Sequence, residues 1–305
     1  MSHLNEEMII ISDYKENKES RDRFNKLASL VFGIEFEHWY QRGCWDDRYI
    51  CHSVAADHEI IANVSVSKMD LTINGTARKA IQIGTVMTHP DHRGKGLSSL
   101  LMNRVLDLYK DECDLFFLFA NSSVHEYYPK FGFRPVTESR FTMESVESLP
   151  RSTAAAKLSN IRKLDCENES DFELMQQMAR DRHPVSETFG VSHNNRGIFL
   201  FYAISVFPDC IYYCADEDAI VVCQQEGHTL HLYDVMSRKK VDLGALISRI
   251  ANEQTRSVQF HFTTDACSGH VMIEPMPAHE DLLFVKTKDD LDLAFDFCVP
   301  KLAHA

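Results

Sequence analysis

Ile81-Gln82-Ile83-Gly84-Thr85-Val86-Met87-Thr88-His89-Pro90-Asp91-His92-Arg93-Gly94-Lys95-Gly96-Leu97-Ser98-Ser99 is the stretch whose reading decides the fold. An apolar, β-branched run gives way to a basic glycine loop and then to helical spacing, so the order predicts strand, loop, helix. A helix N-terminus leaves backbone N–H groups without intrahelical partners, and the peptide dipoles add partial positive charge there. Glycines let the loop fold tightly and approach a ligand with bare backbone. The arrangement is suited to a phosphate. Arg93 and Lys95 add charge to the same place.

Downstream, Leu97, Leu100, Leu101, Val105 and Leu108 recur at three- and four-residue spacing, which predicts an amphipathic helix. Leu115-Phe116-Phe117-Leu118-Phe119-Ala120 is a continuous apolar run, expected to be a strand buried on both faces and parallel to the one before the loop. Asn121-Ser122-Ser123 is expected to cap a further helix through Tyr128, and Pro129 precedes Phe131-Gly132-Phe133.

Upstream, residues 8–11 predict a first strand, 19–33 a helix ending at Gly33, and 36–42 a short second helix. Residues 48–56 and 59–71 read as strands joined at Asp57-His58, and Asn74-Gly75 marks a hairpin into the strand at 77–87. Phe32, Phe36, Trp39, Tyr40 and Trp45 crowd one region, either as core or as one wall of a pocket.

The chain has 305 residues, enough for two domains, and 44% hydrophobic with 25% charged residues is the balance of a globular protein. A net charge of −13 argues against nucleic acid and mildly favours cationic or neutral substrates, although excess acid is more often a solubility feature; with the aromatics from Trp39 to Trp45 it weakly suggests a small cationic amine. No basic region followed by a long apolar run opens the sequence, and no run approaches a membrane span. The nine scattered cysteines show no paired metal or disulfide spacing, so reduced thiols in the cytoplasm are expected, with no metal.

Three features coincide in order: Val86-Met87-Thr88 with His89-Pro90, Arg93-Gly94-Lys95-Gly96-Leu97-Ser98, and Asn121 followed by His125 through Phe133. Together they resemble the GNAT superfamily of acetyl-CoA-dependent N-acyltransferases, over roughly residues 8–145. Ser98 departs from the family signature, which usually has Gly or Ala there. The resemblance implies acetyl-CoA as cosubstrate, with Val86, Met87 and Thr88 along its pantetheine arm. Arg93, Gly94, Lys95, Gly96, Leu97, Ser98 and Ser99 would hold the pyrophosphate, and Asn121 would face the arm. Tyr128 would protonate the departing thiolate, and Tyr127 is expected to be a packing aromatic. The implied reaction is direct attack of a small cationic amine on the thioester. A non-catalytic CoA-binding or interaction module is the alternative. Partners are therefore a small-molecule amine and at most further copies of the chain, with no nucleic acid or membrane. An amine must shed a proton to react. Gln82, in the strand where some relatives carry Glu, could only position water. His89, Glu35, Glu37 and His38 are candidate bases by position alone.

Residues 149–157 read as a linker. The second half reads as a worn copy of the first: Leu232-Tyr233-Asp234-Val235-Met236, a helix at 241–252 and a strand at 258–262 repeat the central pattern. Only Ser237-Arg238-Lys239-Lys240 stands where the glycine loop would be. The expected class is α/β (α+β): two GNAT-like domains in tandem, each a mixed, mostly antiparallel sheet with a central parallel pair flanked by helices. Their expected extents are 1–148, binding acetyl-CoA, and 158–305, degenerate and without a pyrophosphate loop. Tandem relatives of the enhanced-intracellular-survival type carry a further sterol-carrier-like domain, whose terminal carboxylate is assigned the base role. The expectation is a tandem protein lacking that domain.

Overall fold

The computed structural model describes residues 8–146, 149, 160–193, 195–265, 271–277, 281–288 and 291–305. Strand β1 (Ile9–Ser12) leads to helix α1 (Lys18–Phe32) and short helix α2 (Glu37–Gln41). Asn17 caps α1 by accepting from the Ser20 N–H, and Gly33 ends it in the left-handed region. Strands β2 (Tyr49–Ala56), β3 (Glu59–Ile73) and β4 (Thr76–Thr88) form successive antiparallel hairpins. Their turns, Asp57-His58 and Asn74-Gly75, have positive φ at both residues, the geometry that follows strand twist.

Helix α3 (Leu97–Tyr109) crosses over to β5 (Leu115–Ala120), which runs parallel to β4. The α3 face that packs on the sheet is Leu97, Leu101, Met102, Val105 and Tyr109; Leu100 and Leu108 are exposed, a narrower stripe than the spacing predicts. The expected helix after Asn121 is replaced by two 3-10 turns, Ser122–Val124 and Tyr128–Phe131. Pro129 lacks an N–H and disfavours the α conformation at Tyr128, so no longer helix forms. Strands β6 (Arg134–Val136) and β7 (Ser139–Met143) follow.

The second half runs β8 (Ile161–Lys163), α4 (Glu169–Arg180), β9 (Phe189–Ser192), α5 (Arg196–Ser205), β10 (Ile211–Cys214), β11 (Ala219–Glu226) and β12 (Thr229–Ser237). Helix α6 (Leu243–Ile250), β13 (Ser257–Phe260), β14 (Val271–Pro275), β15 (Leu282–Thr287) and a 3-10 turn, Lys301–Ala303, complete it.

The first sheet has the order β1-β2-β3-β4-β5-β15-β6, and the second β8-β10-β11-β12-β13-β7-β14. The two orders are the same, with β8 in the place of β1 and β14 in that of β6. In each, one internal pair is parallel: β4 with β5, and β12 with β13. The sixth strand of each sheet comes from the other half of the chain. Leu282–Thr287 pairs with β5 and β6, and Ser139–Met143 pairs with β13 and β14. The sheets therefore do not divide at the boundary read between 148 and 158. The linker at 149–157 is a compositional signal, and pairing partners far apart in sequence leave no such mark; apart from Leu149 it lies outside the described residues. Strand β9 adds to the first sheet at the end of β3, tying the halves a third time.

Candidate functional site

Strand β4 pairs with β5 only through Ala80, Ile81 and Gln82, against Leu115, Phe116 and Phe117. Beyond that point the two strands diverge. A register shift in the β3–β4 ladder puts Thr85 at φ +47°, and this bulge is held from behind. Asn63 donates from Nδ2 to the Thr85 carbonyl at 2.9 Å, and the Thr85 hydroxyl meets the Tyr49 hydroxyl at 2.8 Å. A cavity of about 820 Å³ occupies the opening, with Gly84, Thr85, Val86 and Thr88 on one side and Phe119, Ala120 and Asn121 on the other. Its size is that of a small-molecule site.

At one end lies the glycine loop. Gly94 and Gly96 have φ of +75° and +79°, conformations that a side chain would strain. Gly96 is the N-cap of α3 and offers no side chain, so the first-turn N–H groups are uncapped. Arg93 and Ser98 line the cavity there, and Arg93 donates from Nε to the Thr88 carbonyl at 3.4 Å. The corresponding end of the second half is closed: Asp242 caps α6 by accepting from the Ala245 N–H at 3.1 Å, which places a carboxylate where an anion would have to sit.

Of the residues predicted for the site, Val86, Thr88, Arg93, Ser98, Asn121 and Tyr128 line the cavity. Met87 does not; strand alternation turns its side chain to the opposite face, where it is buried in the α1 core. Leu97 is buried under the sheet, and Gly94, Lys95, Gly96 and Ser99 bring no side-chain wall to the cavity. Asn121 accepts through Oδ1 from the Ser123 N–H at 3.1 Å, leaving its Nδ2 group free among the described residues. Burial pushes the Tyr128 phenol up to about 12, so it is protonated at neutral pH. Its ring packs on Phe284 of β15 at 5.7 Å, and Lys286 of the same strand donates to the Phe131 carbonyl at 2.8 Å. Tyr127, expected to be core, also borders the cavity, with its hydroxyl 3.5 Å from Ser99 Oγ.

The four candidate bases do not line the cavity. Glu37 instead accepts from Arg21 and Gln41. Gln82 is fully buried, and neither atom of its amide has a hydrogen-bond partner among the described residues. The aromatic cluster serves both roles weighed for it. Trp39 and Trp45 are core, while Phe32, Phe36 and Trp39 also face the cavity.

Sequence reading missed the contribution of the second half. Helix α5 brings Ile198, Phe201 and Tyr202 to the cavity, and the last residues bring Lys301, His304 and Ala305. Trp39 donates to the Gly197 carbonyl at 2.9 Å and Phe36 stacks on Phe201 at 5.5 Å, which fixes α5 against α2. Gly84 has no room for a side chain: a Cβ there would stand 2.8 Å from the carbonyl carbon of Ala305. The same terminal segment fills the equivalent opening of the second sheet. Lys301 donates its N–H to the His261 carbonyl at 2.9 Å, Thr263 donates to the Cys298 carbonyl at 3.2 Å, and the turn Lys301–Ala303 packs on β12. No sequence motif marks these residues; only the repeat of the central pattern hinted that the second half stands beside the first.

Residues 14–136 match the family model described as an acetyltransferase (GNAT) domain. Several solved structures share the fold over nearly the whole chain. One is a probable N-acyltransferase from Enterococcus faecalis V583, at 16% identity and a TM-score of 0.61, covering 93% of this chain and 73% of that one. A GCN5-related N-acetyltransferase from Anabaena variabilis matches at 15% identity and a TM-score of 0.58, covering 92% and 73%. Eis1 from Mycobacterium abscessus matches at 15% identity and 0.57, covering 93% and 74%. No curated protein matches the sequence. Among the described residues no helix is long and apolar enough to cross a membrane, and no group of three metal-ligating side chains comes together.

Proposed function

We propose that this chain, an acyltransferase through its GNAT acetyltransferase domain at residues 14–136, moves an acetyl group from acetyl-CoA to the primary amine of a small acceptor by direct attack. The observation that carries the reading is the single cavity that joins an uncapped helix N-terminus to a buried, protonated tyrosine across two diverging strands. The pyrophosphate would lie on the loop at 93–99, where backbone N–H groups and Arg93 meet it. Backbone of residues 86–88 and the free Asn121 amide would hold the pantetheine arm.

The amine nitrogen attacks the thioester carbonyl carbon, and a backbone N–H near residues 86–88 stabilises the oxyanion. As the carbon–sulfur bond breaks, Tyr128 gives its proton to the thiolate. The products are the N-acetylated amine and free CoA. The amine loses its proton on the way. Of the described cavity residues, Asp281 has a side chain able to take it, whereas burial holds the His304 imidazole far below its ordinary value and makes it a poor acceptor. The second half acts as a degenerate GNAT-like partner: its own opening is filled by the terminal segment, and it supplies the acceptor wall. Reduced thiols at all eight described cysteines accord with a cytoplasmic protein.

Calorimetry with acetyl-CoA, paired with thiol release across a panel of primary amines, tests the reading. Binding at micromolar concentration and amine-dependent thiol release are expected, and Arg93→Ala should weaken binding about tenfold. Absence of acetyl-CoA binding would refute it. Binding without release by any amine would leave a CoA-binding module in its place.

A further inference from the structure

Beyond the cofactor end, the cavity wall changes character. Phe32 and Ile34 stand at the mouth, 47% and 36% exposed. Two large apolar side chains left in water on one rim, at the end of α1 and just after it, are more than a lone exposed residue. Deeper in, Phe36, Trp39, Phe201 and Tyr202 continue the same wall. Phe36 and Phe201 stack on one another with planes 24° apart, which fixes the Phe201 ring in the wall.

The charges on the wall are few. Among the described lining residues only Asp281 has a carboxylate side chain, against two cationic side chains, Arg93 and Lys301. Arg93 belongs to the loop end. Asp281 is exposed and lies near the Tyr202 hydroxyl, whose ionisation it opposes. An acceptor with several ammonium groups would have to desolvate each one, and only one would find an acidic side chain. An amino sugar would also need hydrogen-bond partners for its ring hydroxyls, and the side chains of Phe32, Ile34, Phe36 and Phe201 offer none.

We infer that the acceptor is a monoamine carried on an aromatic or similarly flat apolar body. Its ring lies against Phe32, Ile34, Phe201 and Tyr202, and its ammonium enters past Asp281 before losing a proton. The inference rests on the acetyl-transfer reading and narrows the cationic acceptor expected from net charge to one of charge +1. The balance of the step is unchanged: one N–H is replaced by N–acetyl, and CoA leaves as the thiol.

The test compares kcat/KM for 2-phenylethylamine, spermidine and a 2-deoxystreptamine aminoglycoside at saturating acetyl-CoA, alongside calorimetric acetyl-CoA binding. The arylalkylamine should exceed the other two by at least tenfold. Phe32→Ser, at an exposed position that folding tolerates, should raise KM for the arylalkylamine about tenfold, leave KM for ethylamine unchanged and leave acetyl-CoA affinity unchanged. Phe201→Leu should act in the same direction. If acetyl-CoA binds and spermidine or the aminoglycoside is the better acceptor, the inference is overturned while the transferase reading stands. Equal effects of Phe32→Ser on ethylamine and on the arylalkylamine would overturn it too. If acetyl-CoA does not bind, both fall together.

Discussion

His304 lies flat on Phe119, with ring centroids 3.7 Å apart and planes inclined by 15°. The pair joins the last turn of the chain to the end of β5, and so holds the terminal segment in the cavity wall. Beside it, Ala305 rests on the bare backbone of Gly84. A Gly84→Ala variant cannot keep that contact, because a carbon-to-carbon approach of 2.8 Å forces something to move. The expected result is an acceptor KM raised roughly tenfold, from misplacement of the acceptor wall, with acetyl-CoA affinity changed by less than about twofold. Steady-state kinetics and calorimetry on the same preparation measure both.

Tyr128→Phe keeps the ring that packs on Phe284 and Phe133 and removes only the hydroxyl. Turnover should fall by about a hundredfold, the usual scale for loss of a general acid, with acetyl-CoA affinity and melting temperature retained. Single-turnover measurement of acetyl transfer checks it. Unchanged turnover would remove Tyr128 from the reaction.

Arg182 and Asp234 are both fully buried and form a two-pronged ion pair, with N–O distances of 2.9 and 3.0 Å. Arg182 precedes the loop that carries β9 into the first sheet, and Asp234 lies in β12 of the second. Asp234→Ala leaves an unpaired buried guanidinium and should cost about 3–5 kcal/mol in urea unfolding. Arg182→Met combined with Asp234→Leu should recover most of that loss, because neither charge then remains to be desolvated.

His52 is buried between Ser12 Oγ at 2.8 Å and the Tyr109 hydroxyl at 3.1 Å. Burial and the Arg104 charge push its imidazole down from 6.5 to about 4. His261 and His304 are lowered in the same direction, again mainly by burial. A histidine whose folded value is depressed binds fewer protons in the native state than in the unfolded one between the two values. Stability therefore declines as pH falls from about 6.5 toward 4. Melting temperatures recorded across that window should drop steadily, and His52→Gln should flatten part of the slope.

Much of the first half was legible because its signals are local. Asn17, Gly33 and Asn74-Gly75 act on their own neighbours, and the loop from Arg93 to Ser98 declares both its shape and its charge within six residues. Met87 and Leu97 enter the expected site through their backbone, and strand and helix geometry turn both side chains into the core, as the apolar spacing of Leu97 already implied. The acceptor wall was not legible at all. Phe201, Tyr202 and His304 reach the site through pairing across more than a hundred residues, and nothing in their own stretches distinguishes a cavity wall from ordinary core. The repeat in the second half could be read, yet the exchange of β7 and β15 could not. Either apolar strand satisfies the pattern of either sheet.

That exchange has a consequence for how the protein is made. The outer edge of β5, Leu-Phe-Phe-Leu-Phe-Ala, is completed only by Leu282–Thr287. At ordinary synthesis rates the ribosome needs roughly ten to thirty seconds to move from one to the other. During that interval the nascent first half presents an unpaired, strongly apolar strand edge, the feature most prone to pair with the wrong chain. A truncated product ending anywhere in the second half before residue 282 would carry that edge permanently, so such fragments should be aggregating species and poor guides to the activity of either half.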